Sequence, residues 1–295
     1  MRRHWKLAAA AVAAGFLIWT LRAGTTPNAL YPIISSHSKK DESPRPTIPG
    51  TAVTGRVTWT GPKPTVPPLL RPFSRFYLLP ESPTPNPLAP EIAPDGGLAS
   101  VFVVLDGPNL DGHTWPHAPV NVEYADYDCS VVQGKRRGRF GIVRLGDEVE
   151  FVAKDANRHA ARARGAEFFT LMLPTADKPL KRTFGHPGMA EITSGSWFYW
   201  AQARLWVSPH PFCTLTDAEG RFSLENVPPG SYRLSAVRAN WAVSGLDIDT
   251  EFPVPVRVNF GPDVTKSQAV TVGAAPGEPI RFEMSAALFT AGAGK

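Results

Sequence analysis

The sequence predicts an all-β protein with two β-sandwich domains behind one N-terminal transmembrane helix. The chain has 31 prolines in 295 residues, and proline disfavours helix interiors because it lacks a backbone donor. From Thr51 onward, short runs rich in Val, Ile, Phe and Tyr alternate with Gly, Pro, Asp and Asn. This alternation is typical of sandwich strands and their turns. An apolar run near the N-terminus provides the predicted helix.

Residues 1–24 form the predicted membrane anchor. Arg2, Arg3 and Lys6 precede the apolar run of residues 7–21, and positive charge before such a run indicates that this end stays in the cytoplasm. No small-x-small pattern marks a cleavage site, so we favour an uncleaved anchor over a cleaved signal peptide. We therefore expect a single-pass protein of the cytoplasmic (inner) membrane, in contact with the lipid bilayer through this helix and with its bulk in the periplasm. The predicted anchor includes Trp5, Leu7, Phe16, Trp19 and Leu21.

The rest of the chain divides at stretches rich in proline and polar residues. A proline-rich stretch within the first domain is too long and irregular for a hairpin, so we expect an extended surface excursion or docking arm. The predicted parts are a linker (25–50), a first sandwich (51–209) with its excursion (62–94), a second sandwich (210–286) and a tail (287–295).

The second sandwich has a recognisable local pattern. The run TDAEGRFSLENVPPGSYRL, which starts at Thr216, contains two turn signals that each precede a strand, and this is a hairpin signature. The run resembles the carboxypeptidase regulatory-like, transthyretin-like β-sandwich found in many exported bacterial proteins, over residues 213–284. The resemblance implies the fold and says little about function, since such modules mostly pack beside other domains.

The first sandwich contains several blocks of another family in order. Gly146 and Asp147 precede VEFVAKD, His159 follows, FFTLMLP begins at Phe168, and FGHPGMAEI begins at Phe184. These blocks resemble a plastocyanin-type cupredoxin, a domain often fused to regulatory-like modules in exported bacterial proteins. The resemblance implies that His159 stands where the first copper-ligating histidine would be.

The same resemblance implies that the copper ligands are otherwise missing. It matches Ser194 to the thiolate position, Trp197 to the second imidazole and Trp200 to the axial thioether. A blue-copper site needs two imidazoles and a thiolate, which a serine hydroxyl and an indole N–H do not replace. We therefore expect no cofactor, with His159 as a weak candidate for a metal ligand.

The end of the domain that would hold copper is instead rich in arginine and aromatic residues, the types enriched at protein–protein hot spots. This composition predicts a docking surface. The alternative is that the aromatic residues fill the core and the basic ones are solvated. The candidate partner-binding residues are Lys154, Arg158, Arg162, Arg164, Trp197, Phe198, Tyr199 and Trp200.

Composition and motifs bear on the remaining classes of function. The net charge of +5 includes 26 acidic residues, which argues against nucleic-acid binding. Cys129 and Cys213 lie in no zinc-binding pattern, and they are either two free thiols or a disulfide in an oxidising compartment. The chain contains no G-x-S-x-G, H-E-x-x-H or phosphate-binding loop, so we do not expect an enzyme.

These observations together favour an accessory or structural subunit that binds other subunits of a membrane complex, of the photosynthetic or respiratory electron-transfer class. Two alternatives stay open. One is a copper-binding electron carrier with atypical ligands. The other is a cell-surface carbohydrate-binding or adhesion module, which would need Trp115, Trp197 and Trp200 in one shallow groove.

Overall fold

A computed structural model describes residues 50–71, 82–110, 115–251, 254–275 and 277–292. The predicted all-β fold is confirmed, since these residues form strands with only a single short 3-10 helix, Ala286–Leu288. In chain order the strands are β1 (Thr51–Thr60), β2 (Leu69–Arg71), β3 (Ser82–Thr84), β4 (Phe102–Asp106), β5 (Val120–Ala125), β6 (Asp128–Gln133), β7 (Arg136–Gly138), β8 (Phe140–Arg144), β9 (Glu148–Ala153), β10 (His159–Gly165), β11 (Phe169–Leu173), β12 (Leu180–Thr183), β13 (Gly188–Ser194), β14 (Gln202–Ser208), β15 (Cys213–Leu215), β16 (Arg221–Val227), β17 (Gly230–Arg238), β18 (Val243–Ile248), β19 (Pro255–Phe260), β20 (Val264–Val272) and β21 (Ile280–Ser285).

The predicted anchor, with Trp5, Leu7, Phe16, Trp19 and Leu21, lies outside the described residues, as does the predicted linker up to residue 49. Among the described residues, none belongs to a helix long and apolar enough to span a bilayer.

The first sandwich consists of two five-stranded sheets. One has the strand order β11-β10-β13-β14-β8 and the other β12-β9-β5-β6-β7. Along each strand, alternate side chains point to opposite faces of the sheet, and the inward set from both sheets forms one apolar core. Val122, Phe151, Ala161, Ile192 and Leu205 are fully buried members of this core.

The second sandwich combines strands from both ends of the described chain. Its sheets have the orders β16-β1-β21 and β15-β4-β17-β20. β1 pairs antiparallel with β16 and parallel with β21, while β4 pairs with β15 and β17. Val57, Val103, Leu234 and Met284 pack in its core.

This pairing differs from the predicted boundary between residues 209 and 210. β1 and β4, predicted to be part of the first domain, belong to the second sandwich. The two sheets of the first sandwich, β5 to β14, are therefore inserted between β4 and β15 of the second. The prediction was wrong here because an amphipathic strand can complete any sheet that buries its apolar side, and that choice is not local.

The hairpin expected in the second sandwich is likewise not formed. The two predicted strands are present as β16 and β17, each after its turn. However, β16 pairs with β1, whereas β17 pairs with β4 and β20. The connection crosses from one sheet of the sandwich to the other.

Arg238 of β17 lies between the two sandwiches and is fully buried. Its guanidinium carbon is 4.4 Å from the centre of the Phe140 ring on β8, and Nη2 donates to the carbonyls of Leu88 (3.2 Å) and Ala89 (3.1 Å). Burial lowers the pKa of Arg238 to about 10. The contact joins the sandwiches through a cation–π interaction.

Part of the proline-rich excursion packs on the first sandwich. β2 and β3 pair antiparallel, and Leu69 is buried in the first core. Tyr199 donates its hydroxyl proton to the carbonyl of Leu70, and the guanidinium of Arg71 lies 5.9 Å from the centre of the Trp200 ring. The excursion therefore contacts the loop that contains the predicted docking surface.

Candidate functional site

His159, the residue matched to a copper ligand, begins β10 and is buried. Its Nε2 atom lies 2.7 Å from Oδ1 of Asp155. Ring centres of Tyr124 (5.9 Å), Tyr127 (6.3 Å) and Phe198 (6.4 Å) surround the imidazole. The Nδ1 atom has no hydrogen-bond partner among the described residues. Three aromatic rings thus surround the imidazole, and Asp155 binds its Nε2 atom.

Asp155 is fixed by the backbone as well as by His159. Its Oδ2 accepts the N–H of Asp126 (2.7 Å) and its Oδ1 that of Asn157 (2.9 Å). Burial raises the pKa of Asp155, but the hydrogen bonds from Asp126, His159 and Asn157 outweigh burial, so the pKa lies below its usual value. A carboxylate that accepts several hydrogen bonds stays ionised.

The residues matched to the other copper ligands do not fit copper. The hydroxyl of Ser194 accepts the backbone N–H of Ser196 at 2.9 Å. Trp200 is buried against Phe198, with ring centres 5.6 Å apart. Within the described ranges, no group of three or more His, Cys, Asp or Glu residues has an arrangement that could hold a metal ion.

Three of the four aromatic docking candidates lie in the core. Phe198, Tyr199 and Trp200 are buried, so the prediction that they form a docking surface was wrong, and the alternative that they fill the core holds for them. They follow each other in a turn rather than a strand, which lets all three rings point inward. Trp197, at φ 63°, is 38% exposed.

The basic candidates do not form one cluster around His159. Lys154 follows β9 in one sheet and pairs with Asp177. Arg162 and Arg164 lie on β10 in the other sheet. Arg162 donates from Nε to Thr170 Oγ1 at 3.2 Å. Arg158, in the loop before β10, is exposed.

Arg162 belongs to a patch whose other members were not candidates in the sequence. Phe168 is 75% exposed and Met172 is 58% exposed, and Thr170 stands between them opposite Arg162. We call Phe168, Thr170, Met172 and Arg162 the β11 patch. The sequence FFTLML contains the pattern that indicates this patch. Both alternating sets of side chains in the run are apolar, apart from Thr170. Because only one face of an edge strand reaches the core, such a run leaves apolar side chains outside.

Trp115 is the third tryptophan of the groove that a carbohydrate-binding module would need. It lines a cavity of about 520 Å³ between strands of the two sandwiches and stacks on His117 with ring centres 5.9 Å apart. Since Trp200 is in the core, the single shallow groove of Trp115, Trp197 and Trp200 that a carbohydrate-binding module would need is not formed.

Both cysteines carry free thiols in the part of the chain that the structure describes, so the disulfide alternative was wrong. Cys129 lies on β6 in the core of the first sandwich, and Cys213 lies on β15 of the second. Burial raises the pKa of each thiol to about 12.

No protein-family model and no curated protein matches the chain. Several solved structures are similar to part of the chain. A Cu-containing nitrite reductase from Thermus scotoductus SA-01 is 20% identical, with a TM-score of 0.24, over 33% of this chain and 24% of that chain. A purple cupredoxin from Nitrosopumilus maritimus is 19% identical, with a TM-score of 0.24, over 31% of this chain and 99% of that one. A mutant amicyanin in its Cu(I) form is 15% identical, with a TM-score of 0.24, over 35% of this chain and 98% of that one. The match thus spans about a quarter of the nitrite reductase.

Proposed function

We propose that the protein is a non-catalytic, membrane-anchored periplasmic accessory subunit. Its cupredoxin-like sandwich, without copper, binds and stabilises a membrane protein complex of the photosynthetic or respiratory electron-transfer class. The observation that carries the proposal is the β11 patch, where Phe168 and Met172 are 75% and 58% exposed beside Arg162.

The composition of the patch supports a protein partner. Large apolar side chains exposed on the surface of a domain can mark interaction sites, and aromatic residues and arginine are enriched at interfaces. β11 is also the last strand of its sheet within the described residues, since it pairs with β10 alone. An edge strand offers backbone groups to a partner as well as side chains.

The burial of His159 supports a non-catalytic function. A general acid or base must come within hydrogen-bond reach of its substrate, whereas this imidazole is enclosed by Tyr124, Tyr127 and Phe198 and engaged by Asp155. The thiols of Cys129 and Cys213 have raised pKa values, which disfavours the nucleophilic thiolate.

One observation favours a second candidate, a copper-binding electron carrier with atypical ligands. Nδ1 of His159 is buried and has no hydrogen-bond partner among the described residues, and a neutral imidazole nitrogen is a good copper ligand. Metal analysis and a visible spectrum of the purified full chain distinguish the two candidates. Stoichiometric copper with a thiolate absorption band would refute the structural role.

The proposed function is tested by extracting the full chain in a mild detergent and identifying the proteins that co-purify by quantitative mass spectrometry. The test variant is Phe168→Ser with Met172→Ser. Its matched control is Leu246→Ser with Ile248→Ser on β18, whose side chains are 44% and 49% exposed.

We expect wild type and control to retain the same membrane-protein subunits and the test variant to lose them. A wild-type chain that runs alone and monodisperse contradicts the proposal. Retention of all subunits by the test variant assigns binding to another surface and contradicts the role of the patch.

A further inference from the structure

Three arginines line a cavity of about 370 Å³ beside the outer face of the first sandwich. Arg164 comes from β10, Arg204 from β14 and Arg257 from β19. Two carboxylates share the cavity, Glu191 on β13 and Asp263 just before β20. The strands of one sheet and the β18–β19 hairpin thus bring together charges that are distant in sequence.

Glu191 satisfies only one of the three guanidinium groups well. Arg257 Nε and Nη2 each lie 3.1 Å from a different oxygen of Glu191, which is a bidentate pair. Arg164 and Arg204 approach the same carboxylate only to 3.7 Å. Charge-assisted N–H···O bonds are normally about 2.7–2.9 Å long, so neither Arg164 nor Arg204 forms a close ion pair with Glu191.

Arg204 is the most constrained of the three. Its side chain is buried, and its Nη1 donates to neutral acceptors, Gln202 Oε1 at 3.1 Å and the carbonyl of Ala203 at 3.0 Å. Burial lowers the pKa of Arg204, while Glu191 and Asp263 oppose that shift. A buried charge is costly unless an opposite charge or several hydrogen bonds compensate it.

Asp263 is the second carboxylate of the cavity, and it lies near both Arg204 and Arg238. Burial raises its pKa, which weakens it as a counter-charge, and the nearby Arg204 and Arg238 act against this shift. The only other carboxylate that pairs with Arg257 among the described residues is Asp247, at 3.9 Å, and its side chain is half exposed. The cavity is therefore lined by three arginines and two carboxylates, and Arg204 is the arginine that is buried.

We propose that this cavity binds a small oxyanion, a phosphate or a carboxylate, between Arg164 and Arg204. Guanidinium groups present paired N–H donors that match both oxyanions. A cavity of about 370 Å³ lies within the size range of small-molecule sites. The bound oxyanion provides the negative charge that Glu191 cannot supply to all three arginines. The site does not depend on the β11 patch or on the proposed function.

The site is tested with the full chain in detergent by calorimetric titration and by the melting temperature. Sodium phosphate and sodium succinate are compared with sodium chloride at equal ionic strength. We expect saturable binding and a raised Tm with at least one oxyanion, because a ligand bound only by the folded state stabilises it. Binding of phosphate alone or succinate alone identifies which oxyanion the cavity takes. Binding of neither overturns the proposal.

Two variants have opposite expected effects. Arg164→Gln removes a donor and should weaken binding roughly tenfold, whereas Glu191→Gln removes the competing carboxylate and should tighten it by a similar factor. The control is Arg233→Gln on β17, an exposed arginine 3.7 Å from Asp106, which should change nothing. Equal affinities in wild type and both variants, or shifts in the same direction, would contradict the site.

Discussion

His159 is buried and forms a hydrogen bond of 2.7 Å between its Nε2 and Oδ1 of the partly exposed Asp155, at the end of the first sandwich where the sequence resemblance places a copper ligand. The same carboxylate accepts two backbone N–H groups. Asp155 therefore ties His159 and the loop before β10 to the turn after β5.

Asp155→Asn should lower the free energy of unfolding by about 1.5–3 kcal/mol at pH 7, the usual range for hydrogen bonds to a charged group. Because the folded state lowers the pKa of Asp155 below its usual 3.8, this stability is complete well above that pH and is lost as the pH falls through the lowered value. Urea denaturation of wild type and variant between pH 3 and 7 measures the difference. A difference that stays constant over this range would be inconsistent with the linkage. Asp106→Asn, at an exposed pair, is the control and should cost under about 0.5 kcal/mol.

Phe198→Ala and Trp197→Ala should differ strongly although the residues are neighbours. Phe198 is buried in the first core, and truncating it should cost about 3–5 kcal/mol through lost contacts and a cavity. Trp197 is 38% exposed, and its truncation should cost under about 1 kcal/mol. Chemical denaturation measures both. Equal costs would contradict the burial of the aromatic run.

Gly220→Ala should disrupt the second sandwich. Gly220 has φ +77°, and a Cβ there would lie 2.3 Å from the carbonyl oxygen of Val57, next to the hydrogen bond from Val57 N to Gly220 O. We expect a loss of more than about 3 kcal/mol, since backbone atoms must move. Gly61→Ala is the matched control, at φ +84° with no atom of the described residues within 4 Å, and should cost about 1–2 kcal/mol. Thermal unfolding ranks the two, and the reverse order would refute the close approach.

The thiols should react with a disulfide reagent only after unfolding. The pKa of each is raised to about 12, so little thiolate exists at pH 8. Without reductant, we expect slow labelling of the folded chain and two thiols labelled in urea. Labelling of none in urea would mean that Cys129 and Cys213 are bridged. The single variants Cys129→Ser and Cys213→Ser should each leave one thiol.

The chemistry of the candidate site was predictable only in part. The resemblance matched Ser194 and Trp200 to ligand positions, and neither is a blue-copper ligand. The docking surface was placed on Phe198, Tyr199 and Trp200, which are buried, because the strand rule of alternating faces does not apply within a turn. The exposure of Phe168 and Met172 is not predictable from the sequence, since an apolar residue in a strand is more often buried than exposed.

The sequence alone determined that the chain from Thr51 onward forms strands, since proline density, β-branched runs and turn residues act locally on the backbone. It also determined which side chains are available for metal chemistry. Only the tertiary structure decided that β1 and β4 join the second sandwich and that Arg164, Arg204 and Arg257 line one cavity. Strand pairing joins residues distant in sequence, and a strand's own pattern fixes which side is apolar without fixing which sheet covers it.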